Sequence, residues 1–496
     1  MTLELPVFPL APEPVRPGVP RTVSAADKYI EPVGVTDGPR IGLITLGCDK
    51  NTVDSEKILA ALVGHGARVS SEVDGAEVVI INTCGFIEAA KEQSIETILA
   101  ACHLKEEGRA RAVVAVGCMV ERYKDQLAVE IPEVDLFLGL TEMKTLIPRL
   151  RDMGALPEVD QAIPNMERPL RIISTETPHT SFLKISEGCD HTCAFCAIPS
   201  FRGLHRSAPL EELVLEAQAL AEGGVVELNI ISQDTTWYGR DLRRKDPMAP
   251  LLPDLLGALV AGTDVPWYRL FYMYPSGITP QVVELLAGEP RILPYLDMPL
   301  QHGSDTILKA MRRPERGALI RERVGWLRDA IPGLTLRTTV IVGFPGEGDD
   351  EFQEMLDVLE ELRFDRVGAF TYSIEDGTAA ADMPGQVPET LKRERLEELT
   401  DLQRSISVES NLDLVGTVTE ALVDHVEEGG PLETDASGGL PGVARTEGQA
   451  IDVDGVTHIH PHPRLRPGEM LSVEIVDALE YDLVAQVVDE SRAESV

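Results

Sequence analysis

The apolar positions of this chain form two blocks of alternating strand and helix patterns, followed by a third block of short strands. Ile41-Gly42-Leu43-Ile44-Thr45-Leu46, Glu77-Val78-Val79-Ile80-Ile81-Asn82 and Ala112-Val113-Val114-Ala115-Val116 are short apolar runs of the kind buried on both faces of a sheet. Between them, Asn51 to His65 carries Val53, Ile58, Leu59 and Leu62 at helical spacing, and Ala89 to Cys102 carries Ile95, Ile98 and Leu99 on one face. This alternation predicts a parallel sheet covered by helices on both faces. From Ser181 to about Tyr372 strands are expected at 182–187, 225–232, 268–274, 293–298, 334–343 and 366–372, with helices such as 210–221 and 318–330 between them. Six parallel strands with outer helices predict a partial barrel whose chemistry lies at the carboxyl ends. Glu389 to Glu409 reads as a long amphipathic helix, and Val418–Val423, Gly448–Val453 and Met470–Ile475 read as short strands.

The fold class is therefore α/β in three folded units. An N-terminal open parallel α/β sheet domain spans 40–152, a central partial (β/α) barrel spans 175–405, and a small C-terminal antiparallel β-barrel spans 407–490. Residues 1–39 hold eight prolines and read as a flexible leader; Arg151 to Thr180 is rich in Pro, Glu and Thr, and 153–174 within it reads as a linker.

Candidate chemistry gathers where the strands end. Glu187-Gly188-Cys189-Asp190-His191-Thr192-Cys193-Ala194-Phe195-Cys196 leaves the first strand of the second block. Such short cysteine spacings indicate zinc, a redox dithiol or an iron–sulfur cluster. Zinc would want a fourth Cys or His; His191 lies inside the tight loop, and no second C-x-x-C knuckle accompanies it. Three thiolates on a four-iron cluster would leave one iron open to a small molecule. Cys48, Cys84 and Cys118 each fall one or two residues beyond an expected strand, so they should converge at the edge where α/β sheets hold ligands. A second three-cysteine cluster is favoured there over three small buried thiols. Cys102, late in a helix beside His103, is expected to be structural or solvent-facing. Gln233-Asp234, Tyr274-Pro275, Gln301-His302 and Gly343-Phe344-Pro345-Gly346-Glu347 also sit at strand ends. Each could cap a helix or close a turn; together they could wall a cofactor. His458, His460 and His462 alternate with Pro461 and Pro463 and read as an exposed turn.

Composition narrows the partners. No stretch approaches the ~18 apolar residues of a membrane span, and the opening residues lack the basic start and apolar run of a secretory signal. Seven cysteines in a chain of 496 residues then suggest free thiols and metal ligands in a reducing compartment, the cytoplasm. A formal charge of −37 argues against loose binding to phosphates and suits a basic partner, unless it serves only solubility.

The 189–196 spacing C-x-x-x-C-x-x-C resembles the signature of the radical S-adenosylmethionine superfamily. Together with Gly47-Cys48, Asn82-Thr83-Cys84-Gly85-Phe86-Ile87, Gly117-Cys118 and the 343–347 turn, it makes residues 40–490 resemble the methylthiotransferases. Cys84 to Ser94, Gln233-Asp234-Thr235-Thr236 and Pro299-Leu300-Gln301-His302 are most similar to the RimO family, which modifies ribosomal protein S-twelve. The resemblance implies a cluster domain, a radical S-adenosylmethionine barrel and a TRAM barrel. It implies two 4Fe-4S clusters, one on Cys189, Cys193 and Cys196 and one on Cys48, Cys84 and Cys118, with S-adenosyl-L-methionine as cofactor. The implied reaction is radical addition of a methylthio group to the β-carbon of an aspartate. The substrate would be a basic small-subunit ribosomal protein, and an external donor would supply electrons. Neither a membrane nor direct nucleic-acid binding is expected. Gln233, Asp234, Arg337 and Thr339 are the candidates for holding the cofactor's polar groups. Residues 1–39 and Glu427 to Gly439 lie outside the shared pattern. Two alternatives remain: the same chemistry on a transfer RNA adenosine, and a non-enzymatic iron–sulfur or zinc protein for binding or electron transfer.

Overall fold

The computed structural model describes residues 21–22, 38–70, 73, 75–157, 170–173, 176–426 and 440–488. Most of the leader, much of the linker and the insertion 427–439 lie outside them. Strands β1 (Arg21–Thr22), β2 (Arg40–Thr45), β3 (Arg68–Ser70), β4 (Val78–Thr83), β5 (Ala112–Gly117) and β6 (Leu136–Leu138) form one sheet, ordered β1-β2-β4-β5-β6 with β3 also on β2. All pairs except β1–β2 are parallel. Alternate residues of each run face opposite layers: Ile41, Leu43, Val78 and Ile80 pack under Leu59 and Leu62, while Ile44, Val79 and Ile81 pack under Ile98 and Ala101. The helix Glu88–Glu106 buries a different stripe from the one its apolar spacing suggests. Ile98 is buried with Ser94, Ala101 and Cys102, while Ile95 and Leu99 stay 38% and 50% exposed. Small side chains at 94, 101 and 102 let the helix approach the sheet, and the Ser94 hydroxyl donates to the Cys84 carbonyl at 2.9 Å. Cys102 is thus a structural, buried thiol.

In the central domain β7 (Thr180–Lys184) is followed by β8 (Ser186–Glu187), which pairs antiparallel with β9 (Arg206–Ser207) and closes the base of the cysteine loop. Strands β10 (Glu227–Ile231), β11 (Trp267–Leu270), β12 (Ile292–Asp297), β13 (Thr335–Val342) and β14 (Arg366–Thr371) continue a parallel sheet ordered β14-β13-β12-β11-β10-β7. Leu336, Val340 and Val342 of β13 pack into the large core shared with the helices, so Arg337, Thr339 and Ile341 face the concave side. That side is filled by all three domains: Trp267, Phe271 and Tyr295 meet Val53 of the first domain and Leu422 and Ala450 of the last.

The last domain is a closed barrel, β15 (Val418–Val426), β16 (Gly442–Thr446), β17 (Thr457–Ile459), β18 (Met470–Ala478) and β19 (Leu483–Val487), in the order β15-β16-β17-β19-β18. The expected strand Gly448–Val453 is instead a turn. It docks on the central sheet through Ala450, which is fully covered, and through Asp454, to which the Tyr295 hydroxyl donates at 2.7 Å, while Val453 stays exposed.

A buried ionic network ties this barrel down. Arg445, 1% exposed, pairs with Glu227 at 2.5 Å and Asp424 at 2.8 Å, and Arg269 pairs with Glu227 at 2.9 Å. Burial alone would raise the Glu227 carboxyl, but Arg445 and Arg269 outweigh it and hold the group below its usual range. Arg445→Met should therefore lower stability by about 3–5 kcal/mol, because two buried carboxylates lose a shared counter-ion. Thermal unfolding of the full chain checks this, and an unchanged midpoint would refute it.

Candidate functional site

The 189–196 loop is pinned at both ends by backbone bonds. Cys189 N–H donates to the Gly203 carbonyl at 3.0 Å and Ala194 N–H to the Met311 carbonyl at 2.9 Å. Cys189 and Cys193 are buried and Cys196 is half-buried. Burial pushes the Cys189 and Cys196 thiols up to about 12, with neighbouring thiolates adding to the rise. Left to themselves such thiols stay protonated; the positive charge of bound metal is what would make them thiolate ligands.

Around them lies a stacked wall. The Arg313 guanidinium, 2% exposed, lies 4.0 Å over the Tyr274 ring and donates toward Cys193 Sγ at 4.0 Å. The Tyr274 ring stacks on His191 at 4.2 Å and 3°, and His191 Nε2 lies 2.7 Å from Asp234 Oδ2. The other oxygen of Asp234 accepts from Thr236 N–H at 3.0 Å and from its hydroxyl at 2.6 Å. Asp234 thus orients the loop through His191, and both of its oxygens are occupied.

Gln233 contrasts with it: both amide atoms are buried without a hydrogen-bond partner, as is Asn229 Oδ1 on β10 just before it. Unpaired buried polar atoms are costly and rare, and a polar ligand in the concavity would satisfy them. Arg337 donates to Asp297 at 2.8 Å and to Thr339 Oγ1 at 3.2 Å, and its Nε is 3.6 Å from Asp454. The four candidates thus divide into two pairs. Asp234 joins the cysteine loop, with the unpaired Gln233 next to it in the chain; Arg337 and Thr339 join each other beside the C-terminal barrel. The 343–347 turn closes on itself, with Glu347 accepting from Gly343 N–H at 2.8 Å and from Arg395 at 2.9 Å, and lying 3.1 Å from the buried His302.

The second cysteine triad is brought together by glycine and one asparagine. Gly47 has φ +94° and a Cβ there would lie 2.7 Å from Cys84 Cβ; Gly117 has φ +102° and its Cβ would lie 2.4 Å from Asn82 Oδ1. Only glycine tolerates both the positive φ and the approach. Asn51, fully buried, donates from Nδ2 to the carbonyls of Leu46 at 2.7 Å and Thr83 at 3.2 Å. Its Oδ1 accepts from Arg202 at 2.7 Å and lies 3.6 Å from Cys118 Sγ. Three strand ends are therefore tied by one side chain. Burial raises the Cys84 thiol to about 12 with help from Cys48, and raises Cys118 also, while Arg202 pulls both down.

Arg202 joins the two triads. It lies six residues after Cys196, on the short helix Ile198–Arg202, and also reaches Glu187 at 2.8 Å and Asp54 at 3.4 Å. Lys184 pairs with the same two carboxylates. Burial raises Glu187, but Lys184 and Arg202 prevail and pull it down to about 2. Tyr272, at the end of β11, donates to Asp49 at 3.3 Å and lies under the Lys50 ammonium at 3.2 Å. The Cys48 loop of the second triad is thereby held at the carboxyl end of the barrel strands.

Among the described residues no three His, Cys, Asp or Glu side chains close to single-ion distance. The donor chemistry of each triad fits an iron–sulfur cluster: three soft thiols and a neighbouring guanidinium to offset the charge of a thiolate-ligated body. Asn51, Arg202, Tyr272 and Arg313 were not among the sequence candidates. Asn51 and Arg202 follow Cys48 and Cys196 by three and six residues, which is a usable hint, whereas Arg313 sits in an ordinary basic run.

Three family models match this chain, one in each domain. Residues 40–139 match the model described as an uncharacterized protein family, UPF0004, residues 183–359 match the radical SAM superfamily, and residues 415–488 match the TRAM domain. The chain is 45% identical over 463 residues to a ribosomal protein uS12 methylthiotransferase RimO of Anaeromyxobacter sp. (strain K), covering 92% of this chain and 95% of the relative. It is 40% identical over 453 residues to the protein of that name from Geobacter sulfurreducens, covering 90% and 98%. A solved structure of the cobalamin-dependent S-adenosylmethionine radical enzyme OxsB aligns with TM-score 0.49 at 14% identity, covering 74% of this chain and 57% of that one. By its identity to these relatives over nearly the whole length of both, the chain belongs to the RimO family of ribosomal protein uS12 methylthiotransferases.

Proposed function

We propose that this protein adds a methylthio group to the β-carbon of an aspartate in ribosomal protein uS12, in the cytoplasm. It would use S-adenosyl-L-methionine, two 4Fe-4S clusters and an external electron donor. The supporting observation is the pair of three-cysteine sites joined through one buried seam, Asn51–Arg202–Glu187. Cys189, Cys193 and Cys196 would hold the cluster that binds the cofactor, and Cys48, Cys84 and Cys118 the cluster that carries sulfur. When bound, the clusters and cofactor supply the one-electron chemistry needed to break an unactivated C–H bond, which no side-chain base here can deprotonate usefully.

The chain's own residues do the rest. Gln233 offers the cofactor a donor and an acceptor. Asp234, His191 and Tyr274 hold the loop in shape, and Arg313 places a positive charge beside Cys193. Arg202 and Arg313 offset charge in a buried setting, where electrostatic effects are strong. The seam buries Asn51 and Arg202 between the two triads. The acidic surface favours a basic protein substrate over transfer RNA, so direct nucleic-acid binding is not part of this reading.

Reconstituted protein should contain about eight irons and matching acid-labile sulfide per chain. Mass spectrometry should find methylthiolated uS12 in cells with this chain, none in cells lacking it, and no change in transfer RNA. Zinc alone, or a modified transfer RNA with unmodified uS12, would overturn the reading.

A further inference from the structure

The six-stranded central sheet ends in β7 on one side and β14 on the other, and the N-terminal domain is fastened at both sides. The β7 side carries the Arg202 seam. The β14 side centres on one buried carboxylate. Glu375, in the loop after β14, is 3% exposed, and its Oε2 lies 3.2 Å from Lys91 Nζ and accepts from Arg122 Nη1 at 3.2 Å. Its other oxygen accepts from Ser373 Oγ at 2.9 Å. Both cations belong to the N-terminal domain, Lys91 on Glu88–Glu106 and Arg122 on the helix Cys118–Glu130.

Arg122 makes two further bonds. Nη1 also donates to the carbonyl of Gly85 at 3.0 Å, and Nη2 donates to the carbonyl of Asp376 at 2.6 Å. Gly85 directly follows Cys84, and the helix bearing Arg122 begins at Cys118. A chain of charged bonds thus runs from the last barrel strand to the backbone beside two of the three N-terminal cysteines.

The proposed function, on which this inference rests, needs such a connection. Sulfur held at one triad must reach a carbon activated at the other, and a misplacement of about 1 Å can cost about 10²-fold in rate. A buried carboxylate shared by two cations is rigid, and it is charge-assisted on every side. Removing its charge should loosen the domain without unfolding it. Lys91 keeps Glu88 at 2.5 Å, and Arg122 keeps both carbonyls. We infer that Glu375 is a positioning residue that clamps the N-terminal domain across the barrel and so holds the two cysteine triads at a working separation.

Glu375→Gln and Arg122→Met in the full chain test this by two readouts. In the metal-free protein, amide hydrogen exchange should speed up in segments 85–92 and 373–378 and stay unchanged in β10. In the reconstituted protein, iron content and 5′-deoxyadenosine formation should hold, while methylthiolated product per 5′-deoxyadenosine falls about tenfold or more. Glu375→Asp, which keeps the charge, should recover part of that ratio. An unchanged ratio in both variants overturns the clamp. So does loss of iron in both, which would assign Glu375 a purely structural role. If the unsubstituted chain itself makes no methylthiolated product, the functional reading fails, and the exchange data alone decide whether the clamp exists.

Discussion

Replacing Cys189, Cys193 or Cys196 with Ala should abolish 5′-deoxyadenosine formation, whereas replacing Cys48, Cys84 or Cys118 should spare cofactor cleavage and stop sulfur transfer. Each substitution should also remove about four of about eight irons. No neighbouring thiol can substitute. Among the described residues the seventh cysteine, Cys102, is packed at 5% exposure in the layer under the helix Glu88–Glu106. Cys102→Ala should accordingly keep full iron content and activity, at a stability cost of about 1 kcal/mol for the lost packing. Iron and sulfide analysis with quantitation of both products checks all seven variants. Full methylthiolation by Cys84→Ala, or loss of about four irons from Cys102→Ala, would show that the second triad is wrongly drawn.

Both triads were legible because a cysteine just past a strand has a position, not merely an identity. In a parallel sheet the carboxyl ends share one edge, so three such residues on β2, β4 and β5 were bound to meet. The six strands of the central sheet were legible for the same reason, since runs such as 334–343 are short, rich in β-branched residues and separated by helical segments. What failed was one-dimensional reading of burial. Gly448–Val453 alternates like a strand, yet it is a turn in which Ala450 is buried by a different domain and Val453 stays exposed, and periodicity alone cannot name the surface that covers a residue. Ile95 and Leu99 failed conversely: apolar spacing pointed to a face that small residues at 94, 101 and 102 occupy instead. The arginines were the deepest omission. Arg202, Arg313, Arg445 and Arg122 are all nearly buried, and each matters through partners far away in sequence, so no local pattern announces them.

The full chain should bind the basic ribosomal protein and leave transfer RNA unbound, with affinity that weakens about tenfold or more as salt rises from ~50 to ~200 mM. Residues 408–496 contain 19 Asp or Glu against four Arg and no Lys, a formal −15. One of those arginines, Arg445, is buried and already paired with Glu227 and Asp424, so it offers nothing to phosphate. Glu409, Asp413, Glu420, Asp477 and Glu480 meanwhile stand exposed on the helix end and barrel. Affinity for nucleic acid grows with the number of phosphates neutralised by Lys and Arg, and this surface would repel them. A basic protein is drawn in by the same field until screening shortens its reach toward ~8 Å near physiological salt. An isolated C-terminal fragment is the wrong reagent, because Arg445, Asp454 and the 447–454 turn anchor the barrel in the concave face of the central sheet. Titration of the intact protein with each partner, across salt and with Glu420→Gln/Asp477→Asn as the weakened control, decides the matter. Tight transfer RNA binding with no affinity for the ribosomal protein would reverse the substrate assignment.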